Sequence, residues 1–199
     1  MAIERVREYF SAEGIADRIL EFPISSATVE LAAIAAGCEP ARIAKTLSFL
    51  VAVDVSEFAV ECARRNAERN GLDGVMECVA ANVFDLLPQL EKEPRKYDFI
   101  ILDPPAFTKS RKTIANAMTG YKELNYRAMK LLPRGGYLAT CSCSHFASEE
   151  LFIKMLHSAA KDAGVQLRQI EARQQSCDHP ILWGVEETNY LKFFLFQVV

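Results

Sequence analysis

Short apolar runs that stop at a polar residue or a proline, most of them followed by a helical stretch, constrain this chain more than any other feature. Leu47–Val55 is β-branched and apolar and carries Asp54 at its end. Ser56 then caps a helix over Glu57–Arg69, which Asn70-Gly71 stops. Val75–Ala80 reads as a strand and Phe84–Leu90 as a short helix. Tyr97–Leu102 is an apolar strand that runs into Asp103-Pro104-Pro105. Ile114–Leu132 has helical spacing and is closed by Pro133 and Gly135-Gly136. Tyr137–Cys141 is a strand, and Ser148–Ala163 a helix before Gly164. Val165–Glu171 and Leu191–Val199 are two last strands with no helix between them. Strands that alternate with helices predict an α/β fold with a mostly parallel sheet covered on both faces. The final pair predicts an antiparallel hairpin on one edge.

Upstream the pattern is shorter. Ile3–Ala12 has helical spacing, Ile19–Phe22 is a strand candidate stopped by Pro23, and Val29–Ala36 is an Ala/Leu-rich helix closed by Gly37. Half of the 199 residues are hydrophobic and a quarter are charged, which supports a packed core. The net charge of -3 argues against a protein that grips nucleic acid through phosphates alone, so any RNA contact must rest on a local patch. No apolar run approaches the roughly 20 residues that span a bilayer. The charged start, Met1-Ala2-Ile3-Glu4-Arg5, differs from a signal peptide. Six cysteines are scattered over helices and strands, which predicts reduced thiols in the cytoplasm.

In open parallel sheets ligands bind at the carboxyl ends of the strands. Asp54 stands at one such end, where a carboxylate can accept both hydroxyls of a ribose; capping the next helix beside Ser56 explains it equally well. Asn82-Val83-Phe84-Asp85 follows the next strand and suits an adenine edge and face, or a plain turn. Asp103-Pro104-Pro105-Ala106-Phe107 is more specific. Proline cannot donate to a sheet ladder, so the pair turns the chain out of the sheet and leaves rigid carbonyls and a carboxylate at its tip. Thr140-Cys141-Ser142-Cys143-Ser144 ends the following strand. Carbon 5 of a pyrimidine is a poor nucleophile until a thiolate adds to carbon 6. A cysteine near an acid that keeps the ring nitrogen protonated meets that need, although most cysteines are small buried hydrophobes. Cys141, Cys143, His145, Cys177 and His179 lack the paired spacing of a zinc knuckle, so no metal is expected. Lys109-Ser110-Arg111-Lys112 could meet phosphates or form a solvated loop.

Taken in order, Val53-Asp54-Val55-Ser56, Asn66, Asn70-Gly71-Leu72, Asn82-Val83-Phe84-Asp85, Asp103-Pro104-Pro105-Ala106-Phe107, Gly120-Tyr121-Lys122-Glu123-Leu124-Asn125, Ser142-Cys143-Ser144, Asp178-His179-Pro180 and Tyr190-Leu191-Lys192 form a dense pattern. Residues 47–199 thereby resemble the 23S rRNA cytosine-C5 methyltransferases. The resemblance implies a Rossmann-like class I fold, S-adenosylmethionine (SAM) as cofactor and ribosomal RNA as substrate. It implies Asp54 and Ser56 on the ribose, Asn82 and Val83 along the adenine, and Asp103 and Pro104 where cofactor and target base meet. Pro105, Phe107 and Lys109 would face the RNA. Cys143 would be the nucleophile, with Cys141 as the alternative. Asn82 departs from the aspartate usual in that family, which would weaken the adenine contact.

Those enzymes carry a further strand and a Gly-rich turn before the Asp54 strand. Here residues 1–50 instead resemble the start of a YbaK-type aminoacyl-tRNA deacylase, related to the editing domain of prolyl-tRNA synthetase. The match lies in Ser26-Ala27-Thr28-Val29-Glu30-Leu31-Ala32-Ala33 and Arg42-Ile43-Ala44-Lys45-Thr46-Leu47, with Lys45 at that family's functional lysine. Two domains are therefore expected, 1–46 and 47–199. Ile19–Phe22 would take the missing strand's slot through a right-handed crossover. Pro23–Thr28 would then stand in place of the Gly-rich turn without a glycine, which predicts weak or absent SAM binding. Besides the RNA methylase, two other functions remain: a tRNA-editing hydrolase resting on Lys45, and a catalytically silent chimera.

Overall fold

A computed structural model describes residues 50–108 and 110–199. Before them it describes Arg7, Glu8, Phe10, Ser11, Ala12, Gly14, Asp17, Ile19 and Ile34. The chain separates into two compact units, 1–49 and 50–199. In the first, Arg7, Glu8, Phe10, Ser11, Ala12 and Ile34 are helical, while Ile19 is neither helix nor strand. The rest of the Ile19–Phe22 strand, most of the Val29–Ala36 helix, Lys45 and Lys109 lie outside the described residues.

The second unit begins with β1 (Leu50–Asp54), α1 (Glu57–Arg69) and β2 (Met76–Ala80). It continues through α2 (Val83–Leu90), β3 (Phe99–Leu102), α3 (Ile114–Leu131) and β4 (Tyr137–Ser142). α4 (Glu149–Ala163), β5 (Leu167–Arg173) and β6 (Lys192–Val198) complete it. β1 pairs with β2 in parallel, and β3 with β4 in parallel. β6 lies antiparallel between β4 and β5, giving the order β3-β4-β6-β5. The expected α/β architecture and its antiparallel C-terminal hairpin are present. Among the described residues the strands form a two-stranded and a four-stranded part. Among the described residues, β1 and β3 each carry a strand on one edge and none on the other. Side chains of both are uncovered: Val53 is 37 % exposed, Phe99 50 % and Ile101 68 %.

Local chemistry explains the helices. The Ser56 hydroxyl accepts the Ala59 amide of α1, and Asp54 Oδ1 accepts the Ser56 amide. Ser148 caps α4 by accepting the Leu151 amide, with Glu149 and Glu150 in the first turn and Lys161 in the last, as the helix dipole favours. Gly164 closes α4 at φ +69, a conformation that costs a β-carbon. α3 buries Ala117, Tyr121, Leu124, Ala128 and Leu131, a stripe at helical spacing. That stripe packs with Phe152, Met155, Leu156 and Ala159 of α4 over Leu102, Leu138, Phe194, Phe196 and Val198. Burying each large apolar side chain contributes about 1.5–3 kcal/mol, so this core holds the ends of β3 and β4 firmly.

Candidate active site

β3 and β4 are adjacent and parallel, with Leu102 opposite Thr140. One further step brings Asp103 alongside Cys141, and Cys143 follows two residues on, so carboxylate and thiols emerge at the same end of one strand pair. Asp103 is exposed, whereas Cys141 and Cys143 are half-buried. Burial, then the Asp103 charge, then Cys143 push the Cys141 thiol up to about 11. Cys141 is therefore held as a thiol at neutral pH, a poor state for a nucleophile.

The segment after Asp103 is pinned. Thr108 is buried and its hydroxyl donates to the Ser110 carbonyl at 2.7 Å and meets the Thr113 hydroxyl at 2.6 Å. Pro104 is half-buried and Pro105 exposed at its tip. Phe107 points inward, with its ring 4.6 Å from that of Tyr121 and 5.9 Å from that of Phe84. Packing against α3 and α2 accounts for it without a substrate. Tyr121 in turn reaches under the Cys143 turn, where its hydroxyl meets the Ser144 hydroxyl at 2.8 Å in the buried interior.

Asp54 stands exposed at the end of β1, one carboxylate oxygen engaged by the Ser56 amide. Asn82 caps α2 by accepting the Phe84 amide through Oδ1 at 3.1 Å. Val83 is half-buried beside it, and Phe84 is 37 % exposed. The capping role of both polar residues is thus real, and it leaves the second oxygen of Asp54 and the amide nitrogen of Asn82 without an intramolecular bond among the described residues.

Lys192 was not singled out as a site residue by the sequence reading. It opens β6 opposite Ser142, is 7 % exposed, and donates to the Ser144 carbonyl at 2.7 Å and the Tyr190 carbonyl at 2.8 Å. Burial pulls its ammonium down to about 8, against the opposing influence of Cys143 and Glu149. Its signal was present in the alternation: Lys192 falls in step with the buried Phe194, Phe196 and Val198.

Comparison with known proteins bears on this arrangement. A family model described as "Methyltransferase domain" matches residues 31–193. The chain belongs to that methyltransferase family. Over 151 residues it is 40 % identical to the ribosomal RNA large subunit methyltransferase I of Erwinia tasmaniensis, covering 75 % of this chain and 38 % of that protein. The same-named protein of Escherichia coli O139:H28 is 40 % identical over 153 residues, 76 % of this chain and 39 % of its own length. The methyltransferase chain thus spans well under half the length of these relatives. Among solved structures, SMU.776 complexed with SAH aligns with a TM-score of 0.65 at 22 % identity, over 75 % of this chain and 39 % of that one. TrmN from Thermus thermophilus aligns at 0.52 and 23 % identity, over 78 % and 38 %. These establish the Rossmann-like methyltransferase fold. The family match starts at residue 31, inside the stretch that resembled a deacylase, and the comparisons give the deacylase resemblance no support.

Proposed function

We propose that this methyltransferase-family chain is the catalytic part of a SAM-dependent RNA methylase that modifies carbon 5 of a cytosine through a Cys143 adduct. The observation that carries the reading is the emergence of Asp103 and Cys143 from neighbouring parallel strands at one end of the sheet. The 40 % identity to proteins named ribosomal RNA large subunit methyltransferases favours an rRNA substrate. The fold implies SAM, and the adenosine half fits the residues present. The free oxygen of Asp54 suits a ribose hydroxyl, the Asn82 amide an adenine edge, and Val83 its face. Bound there, SAM supplies an electrophilic methyl group. The SMU.776 structure, which shares the fold, was solved with SAH bound.

On the protein side, the Cys143 sulfur donates an electron pair to carbon 6 and forms a carbon–sulfur bond. The ring's electrons move toward carbon 5 while Asp103 holds the ring nitrogen protonated. Once carbon 5 carries the methyl group, it loses its proton to water. The electron pair left by that carbon–hydrogen bond restores the ring's 5,6 double bond, and the carbon–sulfur bond breaks with its own pair on sulfur, which frees the thiolate. Cys141, kept protonated by burial and by Asp103, is the weaker candidate for attack. A base must be unpaired or flipped to reach such a cleft.

Radiolabelled SAM and ribosomal RNA test the reading, with the modified position mapped by digestion. Wild-type protein should place the label on carbon 5 of cytosine, and Cys143→Ala should fall to background while Cys141→Ala retains activity. Label on another atom, or full activity in Cys143→Ala, would sink it. Pro23–Thr28 contains no glycine, and on the reading that this stretch replaces the family's Gly-rich turn, SAM should bind more weakly than micromolar. Calorimetry that returned micromolar or tighter affinity would reject that expectation.

A further inference from the structure

We propose that Trp183 is a stacking platform for an unpaired base of the RNA that flanks the target cytosine; the idea rests on the RNA methylase reading. The 174–191 loop joins β5 to β6. Arg173 closes β5 opposite Phe193, and Lys192 opens β6 opposite Ser142. The loop therefore leaves the sheet at the end of β4 where Cys143 follows. Its base is tied there, because Lys192 Nζ donates to both the Ser144 and the Tyr190 carbonyls.

The tip of the loop is built as firmly. The Thr188 hydroxyl accepts the Leu182 amide at 2.8 Å and donates to the Val185 carbonyl at 2.7 Å. The Val185 amide donates to the Leu182 carbonyl at 2.9 Å, which makes residues 182–185 a tight turn with Trp183 at its crest. From the other arm of the loop, the Gln175 side-chain amide donates to the Thr188 carbonyl. Yet the turn leaves its apolar side chains in water: Trp183 is 100 % exposed, Leu182 56 % and Val185 42 %. A contiguous apolar surface presented on a fixed turn marks a contact with another molecule. Leu182 is bonded to Thr188, four residues before Lys192, so the Trp183 backbone lies within about 25 Å of the start of β6.

Charge identifies the occupant. Asp178 precedes the turn and Glu186 and Glu187 follow it, all exposed. Carboxylates repel phosphates and anionic lipid headgroups, and two copies of this loop would repel each other. The face of a base is uncharged and stacks on an indole whatever the sequence. The group that meets Trp183 is therefore a base turned toward the loop, with its phosphate turned away. Further rings stand between the crest and the site. Tyr190 packs edge-on with His179, 6.4 Å between centroids, and His145 and Phe146, 4.8 Å apart, follow Cys143.

Trp183 is the only tryptophan of the chain, so its emission reads the contact directly. A cytosine-rich single-stranded RNA of about 12 nucleotides, titrated into the full chain, should quench that emission saturably, and the same strand in a duplex should not. By anisotropy of the fluorescein-labelled strand, Trp183→Ala should bind roughly 5- to 100-fold more weakly and Trp183→Phe close to wild type, with circular dichroism unchanged in both. The slope of log affinity against log salt should stay as in wild type, because no phosphate contact is lost. No binding of the strand, emission unmoved when the strand is bound, or equal affinity in Trp183→Ala overturns the proposal. Equal quenching by the duplex does the same, as does an emission shift on raising protein concentration without RNA, which would put a second copy on the turn. Methyl transfer from labelled SAM to ribosomal RNA separates the two ideas. Label on carbon 5 of cytosine with unmoved emission removes the Trp183 role alone. Quenching and Trp183-dependent affinity without methyl transfer remove the methylase reading and leave a turn that stacks RNA bases.

Discussion

Tyr121 places a phenol inside the core so that one hydroxyl can support the turn carrying Cys143. Its oxygen and that of Ser144 are each other's side-chain partner in a fully buried setting. Tyr121→Phe should therefore cost about 1–2 kcal/mol in urea unfolding, since the Ser144 hydroxyl is left without its partner. Two other side chains give stability an alkaline signature. The Cys141 thiol is raised to about 11 from its usual 9, so between those values the unfolded chain loses a proton that the folded one keeps, and stability falls as pH rises. Lys192 is lowered to about 8 from 10.5, so across that window the unfolded chain holds the extra proton and stability rises with pH. The two opposing slopes separate by mutation. Relative to wild type, Cys141→Ala should gain stability from pH 9 to 11, and Lys192→Met should lose it from pH 8 to 10.5; chemical unfolding at stepped pH measures both. Asp103 and the two thiols were legible because a strand end and a double proline mark them in the sequence. Lys192 was legible only as alternation, and the Tyr121–Ser144 contact joins residues whose proximity no local pattern encodes.

α4 and α3 show how far one-dimensional reading carries at the level of elements. Ser148 and Gly164 bracket α4 where capping chemistry places them, within a residue of the expected bounds. Ser148→Ala should lower stability by about 1 kcal/mol, seen as a lower thermal midpoint. β3 begins at Phe99 rather than Tyr97, because the Tyr97 and Tyr137 amides are taken by the Leu131 and Asp98 carbonyls outside the regular ladder. Gly120 is the residue in α3 whose role the sequence hid. A β-carbon there would lie 3.3 Å from the Phe107 ring, which is itself held by Tyr121. The ring's close approach offsets the roughly 0.5–1 kcal/mol that a mid-helix glycine costs. Gly120→Leu should displace Phe107, loosen the segment after Asp103, and cost about 1–3 kcal/mol by overpacking, measurable by calorimetric unfolding.

Across the whole 50–199 unit, the order of elements and the closing hairpin follow from alternation alone. The grouping of the described strands does not, because strand neighbours are set by which apolar faces meet in three dimensions. Ile19–Phe22 looks like a strand in isolation, and no periodicity says what it pairs with. The grouping has a practical consequence. Among the described residues, one edge of β1 and one of β3 carry no strand partner, beside the exposed Phe99 and Ile101, and a bare edge of that kind is a template on which another strand can add. Protein purified at high concentration should scatter light increasingly with time, and Ile101→Lys should suppress this without altering the circular dichroism spectrum.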